Sequence, residues 1–158
     1  MKRIFVLVSV LALTLVASGV LFAQSNPFFG TWKLNVAKSK LSGDAPKSVT
    51  LTVAAYFKGE KISVEALPAT GSAVSYGYSS NLDGKDSPIS GTPPFGADTI
   101  AVKLVDANSH TGIYRKAGKQ LVTLSSAVSK DGKVLTIILK GTDAQGQSVN
   151  ETTVWDKQ

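Results

Sequence analysis

The chain has 158 residues and a formal net charge of +6, from 17 Lys and Arg against 11 Asp and Glu, with no Cys and a single His, His110. These counts exclude disulfides, thiolate metal sites, iron–sulfur clusters, a cysteine nucleophile and a His-rich metal centre. A hydrophobic fraction of 43% and a charged fraction of 18% fit one folded domain and argue against disorder.

The first segment reads as a targeting element. Met1-Lys2-Arg3 supplies positive charge, an apolar run from Ile4 to Val16 follows, and small residues at Ala17-Ser18-Gly19 lead to Ala23 and the polar Gln24-Ser25-Asn26-Pro27. This layout predicts a cleaved signal peptide over residues 1–23 and a single mature domain over 24–158. A cut after Gly19 is the alternative position. The competing reading is an uncleaved anchor, because Ile4 to Ala23 is 20 residues, just long enough to cross a bilayer. With no Cys, a lipid-anchored lipoprotein is excluded. The expected location is periplasmic or secreted. Loss of Lys2 and Arg3 leaves a net charge of +4, which is modest, and export argues against a nucleic-acid partner as well.

From Phe28 onward the hydrophobic period is two. Val49-Thr50-Leu51-Thr52-Val53, Lys61-Ile62-Ser63-Val64-Glu65-Ala66 and Thr99-Ile100-Ala101-Val102-Lys103-Leu104 all alternate. Turn signals separate the segments at close spacing, among them Lys58-Gly59, Asp83-Gly84-Lys85, Asp131-Gly132-Lys133 and Asp143-Ala144-Gln145-Gly146. The pattern predicts ten strands, at 29–36, 48–57, 61–67, 72–80, 85–90, 98–105, 109–116, 119–129, 133–142 and 147–156. A turn or two of helix is expected near Val36–Lys40, and a longer loop at Thr92–Ala97 around Pro93-Pro94. Short links between strands make antiparallel neighbours. Closure removes the sheet edges, so the predicted fold class is all-β, an antiparallel up-and-down β-barrel meander. Val134 to Leu139 is apolar on both faces, so a cover is expected on its outer side, either the 36–46 segment or a partner molecule. The Asp-Gly-Lys turns lack the carboxylates of a calcium loop and read as hairpin turns. An outer-membrane barrel does not fit, since aromatics are only 8% and outward positions are rich in Lys, Thr and Ser.

The run Phe29-Gly30-Thr31-Trp32-Lys33-Leu34 resembles the Gly-x-Trp opening of the lipocalin and fatty-acid-binding-protein superfamily of calycin-like barrels. The opening through Asn35-Val36-Ala37-Lys38-Ser39-Lys40-Leu41, the segment Asp83-Gly84-Lys85-Asp86-Ser87-Pro88 and the ending Val154-Trp155-Asp156-Lys157-Gln158 are similar to a group of small exported bacterial lipocalin-like proteins. The resemblance implies that Trp32 plugs the closed end of the barrel and that Gly30 lets the strand bend there. It also implies a basic side chain from near the last strand stacked on the indole, for which this chain offers Lys157 and no Arg. The helix pair that caps the mouth of fatty-acid-binding proteins is missing, and their Arg-x-Tyr carboxylate clamp has no match near Thr152–Trp155.

Catalytic chemistry is poorly supplied. A serine triad needs a His, and His110 falls at the Asp106–Thr111 turn, where it is expected to be solvent-exposed. The glutamates are Glu60, Glu65 and Glu151 alone, and most Asp residues mark turns. No enzymatic activity and no cofactor or metal are expected. Tyr76 and Tyr78 are two apart and share one face of their strand. With Arg115 they are the candidate ligand contacts, the alternative for the tyrosines being the outer face of the sheet. Small residues at Ala54, Ala66, Ala73, Ser75, Thr123, Ser125 and Ala127 are expected to leave an inner cavity. Lys116, Lys119, Lys130 and Lys133 lie on hairpin tips, where they solubilise turns or meet an anionic partner at the barrel mouth. The expected function is sequestration of a small, mostly apolar ligand in the barrel. The alternative is a filled barrel that binds another exported protein or the cell surface.

Overall fold

A computed structural model describes residues 26–158; the predicted signal peptide and both cut positions lie outside them. Eleven strands run in chain order: β1 (Gly30–Leu34), β2 (Ser48–Tyr56), β3 (Gly59–Leu67), β4 (Val74–Ser80), β5 (Asp83–Pro88), β6 (Ser90–Gly91), β7 (Thr99–Asp106), β8 (Ser109–Lys116), β9 (Lys119–Val128), β10 (Val134–Thr142) and β11 (Ser148–Lys157). Two single-turn 3-10 helices stand at Val36–Lys38 and Pro94–Gly96. All strands belong to one antiparallel sheet in the order β5-β7-β8-β9-β10-β11-β1-β2-β3-β4-β6. The sheet curls into a nearly closed barrel. First and last strands meet through Trp32↔Lys157 and Leu34↔Trp155.

The seam lies between β4 and β5, which are consecutive and in contact but share no ladder. The segment predicted as one strand at 85–90 is divided here. β5 pairs with β7, and the chain then crosses back so that β6 pairs with β4 through Tyr76↔Gly91 and Gly77↔Ser90. The Thr92 N–H donates to the Ser75 carbonyl at 2.8 Å and extends this staple by one bond.

Alternation decides which side chains fill the barrel. In β3, Glu60, Ile62 and Val64 are buried while Lys61, Ser63 and Glu65 are exposed. In β9, Val122, Ser126 and Val128 are buried while Thr123, Ser125 and Ala127 are exposed. One buried cluster packs Phe28, Trp32, Leu51, Val53, Ile62, Val64, Val128, Leu135 and Trp155. A second packs Ala97, Ile100, Val102, Tyr114, Val122 and Val149. Each large apolar side chain so buried contributes about 1.5–3 kcal/mol.

Two expectations are corrected. Of the seven small residues expected to line the interior, only Ala66 does; Ala54, Ala73, Ser75, Thr123, Ser125 and Ala127 are exposed. Their inward neighbours in β2 and β9 are mostly larger, so any cavity must come from shape and not from small side chains. The 36–46 segment does not cover β10. It runs beside β11, with a bridge at Lys40↔Thr152 and the Ser39 Oγ accepting from the Val154 N–H at 2.9 Å. β10 needs little cover, because Leu135, Ile137 and Leu139 all line the interior and Ile138, 37% exposed, faces the outside.

Candidate functional site

The closed end is built from the chain before β1. The Asn26 Oδ1 accepts from the Phe28 N–H at 2.9 Å, and the Phe29 N–H donates to the Asn26 carbonyl at 3.0 Å, which tucks Phe28 into the barrel. Trp32 is fully buried beside it and donates its indole N–H to the Phe28 carbonyl at 2.8 Å. The Lys157 Nζ sits 4.8 Å from the centre of the Trp32 ring and donates to the Pro27 carbonyl at 3.0 Å, a cation–π contact. Gly30 has φ +130°, and a Cβ there would come within 3.0 Å of the Lys157 side chain. The glycine thus makes room for the lysine that lies over the tryptophan.

Above this plug is an inner chamber of about 80 Å³. Its apolar wall includes Phe28, Leu51, Ile62, Val64, Leu135 and Trp155, and its polar groups are Glu60, His110, Ser126, Tyr76, Tyr78 and Tyr114. A larger cavity of about 400 Å³ opens at the mouth, bounded by Leu41, Pro46, Val49, Pro68, Phe95 and Leu139 among others. Both spaces share the walls Val64, Tyr76, Tyr114, Leu124, Ile137 and Trp155, so the mouth leads down to the chamber. Two open grooves of about 640 and 600 Å³ also score the molecule, one beside the β4 seam and one across the outer face of β7–β10. They are larger, but they lie on the outer face of the sheet and are lined by charged side chains, Lys61 and Glu65 in the first and Lys103, Arg115 and Lys140 in the second.

Tyr76 and Tyr78 point inward. Their cross-strand partners in β3 are Val64 and Ile62, both buried, and directly paired residues share a face. Tyr114 joins them from β8, and the Tyr76 and Tyr114 hydroxyls come within reach of one another. Burial pushes all three phenols above their ordinary range, so they are neutral donors and acceptors. Arg115 is not brought to this site. Its guanidinium pairs with Asp86 and lines the outer groove.

His110 corrects the expectation of an exposed turn residue: it is 4% exposed and lines the inner chamber. Its ring stacks on Phe28 at 3.9 Å between centroids, with 14° between planes. Its Nε2 has no hydrogen-bond partner and lies 3.9 Å from Glu60 Oε1. Glu60, 3% exposed, accepts a hydrogen bond from the Asn26 Nδ2 at 2.8 Å. Burial raises the Glu60 carboxyl and lowers the His110 imidazole to about 4, so each is pushed toward its neutral form. The sequence reading passed over both as site residues, although their position on the strands carried the signal. Glu60 is two residues before Ile62, and His110 is four before Tyr114, so each shares the inward face.

The four lysines on hairpin tips do not converge. Lys116 and Lys119 flank the β8–β9 turn at the mouth, whereas Lys130 and Lys133 flank the β9–β10 turn at the closed end. The charged side chains that line the mouth cavity are instead Asp44 and Glu151. No group of three or more His, Asp or Glu is placed to hold a metal ion among the described residues. No protein-family model matches the chain, and no curated protein matches it either.

Proposed function

We propose that the protein is an exported, lipocalin-like binding protein that sequesters a small, mostly apolar molecule in the barrel. The single observation that carries this reading is the apolar cavity of about 400 Å³ at the mouth, whose walls continue into the inner chamber. A concave space with mostly apolar walls and a few convergent polar groups is the general form of a small-molecule site. Here the polar groups are the Tyr76, Tyr78 and Tyr114 hydroxyls. The mechanism is burial of the ligand without a covalent step or cofactor. The Gly30 and Trp32 plug and the signal-peptide layout of residues 1–23 support the lipocalin-like and exported parts of the reading.

The test is displacement of an uncharged fluorescent retinoid analogue by a broad apolar panel. Saturable binding at micromolar affinity is expected. Replacing both Tyr76 and Tyr78 with Phe is expected to weaken binding by about 0.5–1.5 kcal/mol per lost hydrogen bond. Absence of saturable binding across the panel would overturn the reading. The second reading, an interaction module, is favoured by one feature: Phe57 is 90% exposed at the β2–β3 turn, beside Tyr56. Leu104 and Val105 are likewise exposed at the end of β7. Under that reading the closed end carries function and the cavity does not.

A further inference from the structure

Resting on the cavity-binding reading, we propose that Glu60 and His110 form a headgroup floor that selects apolar ligands ending in an ammonium group. Three independent observations point the same way. The first is an orphaned polar atom: the His110 Nε2 is buried, unpartnered and on the chamber wall, within 3.9 Å of a carboxylate oxygen. A buried polar group without a partner is costly, and a ligand that supplies the missing bond recovers that cost. The second is the charge along the path. Asp44 and Glu151 line the mouth and Glu60 lines the chamber, and neither space is lined by Lys or Arg. This stands against the chain's net charge of +6. The third is the wall itself: Tyr76, Tyr78 and Tyr114 line the same chamber as the Glu60 carboxylate, and aromatic rings are favourable neighbours for a cation.

Head chemistry follows from donors and acceptors. Glu60 pairs with no Lys or Arg among the described residues, so its ionised form lacks a counter-charge in the empty barrel. A primary ammonium has only donors, and it can give one bond to the Glu60 carboxylate and another to the neutral His110 nitrogen. A carboxylate head would face Glu60 across a low-dielectric chamber with no cation to offset it. An alcohol supplies one donor and no charge. The chamber of about 80 Å³ accepts a head of a few heavy atoms, while the tail occupies the larger mouth cavity.

The test is calorimetric titration of the purified protein with octylamine, octanol and octanoate, which share one apolar tail. Octylamine is expected to bind at least about tenfold more tightly than octanoate, with octanol between them. Glu60→Gln is expected to collapse the preference for amine over alcohol, because the amide keeps an acceptor for Asn26 but loses the charge. Glu65→Gln, on the outward face of the same strand, is expected to leave the preference in place. Tighter or equal binding of octanoate overturns the proposal, as does a preference that survives in Glu60→Gln. The two readings fail differently. Binding of all three ligands with equal affinity sinks the ammonium floor alone, whereas binding of none sinks the cavity reading with it.

Discussion

Trp32 shows how one side chain ties the first strand to the last. It is fully buried, donates to Phe28 ahead of β1 and lies under Lys157 at the end of β11. Trp32→Ala is expected to destabilise the fold by about 3–5 kcal/mol, a large share of the roughly 5–15 kcal/mol that holds a domain together. Thermal or denaturant unfolding checks this, and a shift within error would contradict the plug. Glu60 and His110 make a second, pH-dependent contribution. Burial raises the Glu60 carboxyl from 4.5, so its share of stability is present below that pH and is lost as pH rises through the folded value. His110 is lowered to about 4, so its share is present above 6.5 and is lost as pH falls toward 4. Glu60→Gln is therefore expected to be more stable than the native protein at neutral pH, with the advantage shrinking toward pH 4.5 and below. Melting curves across that range check it; a difference that does not vary with pH would contradict it.

The strands themselves were readable from the residues, because alternation and Gly- or Asp-rich turns are local signals. The departures arise where local signals run out. β6 holds only two residues, Ser90 and Gly91, and its pairing with β4 is set by the seam and not by any periodicity. Gly91 has φ +85°, and a Cβ there would lie 2.3 Å from the Ser75 carbonyl. Gly91→Ala is expected to cost about 1–3 kcal/mol from the left-handed backbone alone and to loosen the staple between β4 and β6. Amide exchange at Thr92, whose N–H donates to the Ser75 carbonyl, should accelerate before exchange in β2 or β9 does. Unchanged protection at Thr92 would show that the seam does not depend on this glycine. The misread site residues have a related cause. Starting a strand at Lys61 left Glu60 in the turn, and placing His110 in the Asp106–Thr111 turn hid its parity with Tyr114. Whether such end-of-strand polar residues are buried is decided by Phe28, stacked on His110, and Asn26, bonded to Glu60, both from a distant part of the chain.

At the scale of the whole molecule, the barrel has a packed end and an open one. Trp32, Phe28, Leu51, Val53 and Leu135 fill the closed half, while the mouth cavity sits above Tyr76 and Tyr114. Strand number alone did not foretell this, because it depends on which of two alternating faces carries the small residues, and here most of them face out. The central claim is that the inside of the barrel, and no outer surface, takes the ligand. The measurement that tests it most directly is a chemical-shift map of the protein titrated with octylamine. Saturable shifts are predicted for the side chains of Val64, Ile137 and Trp155, which line both cavities. The outward Ile138 and the exposed Phe57 and Val105 are predicted to stay unmoved. Shifts confined to Phe57, Val105 or Ile138, with the inner walls unchanged, would contradict the account.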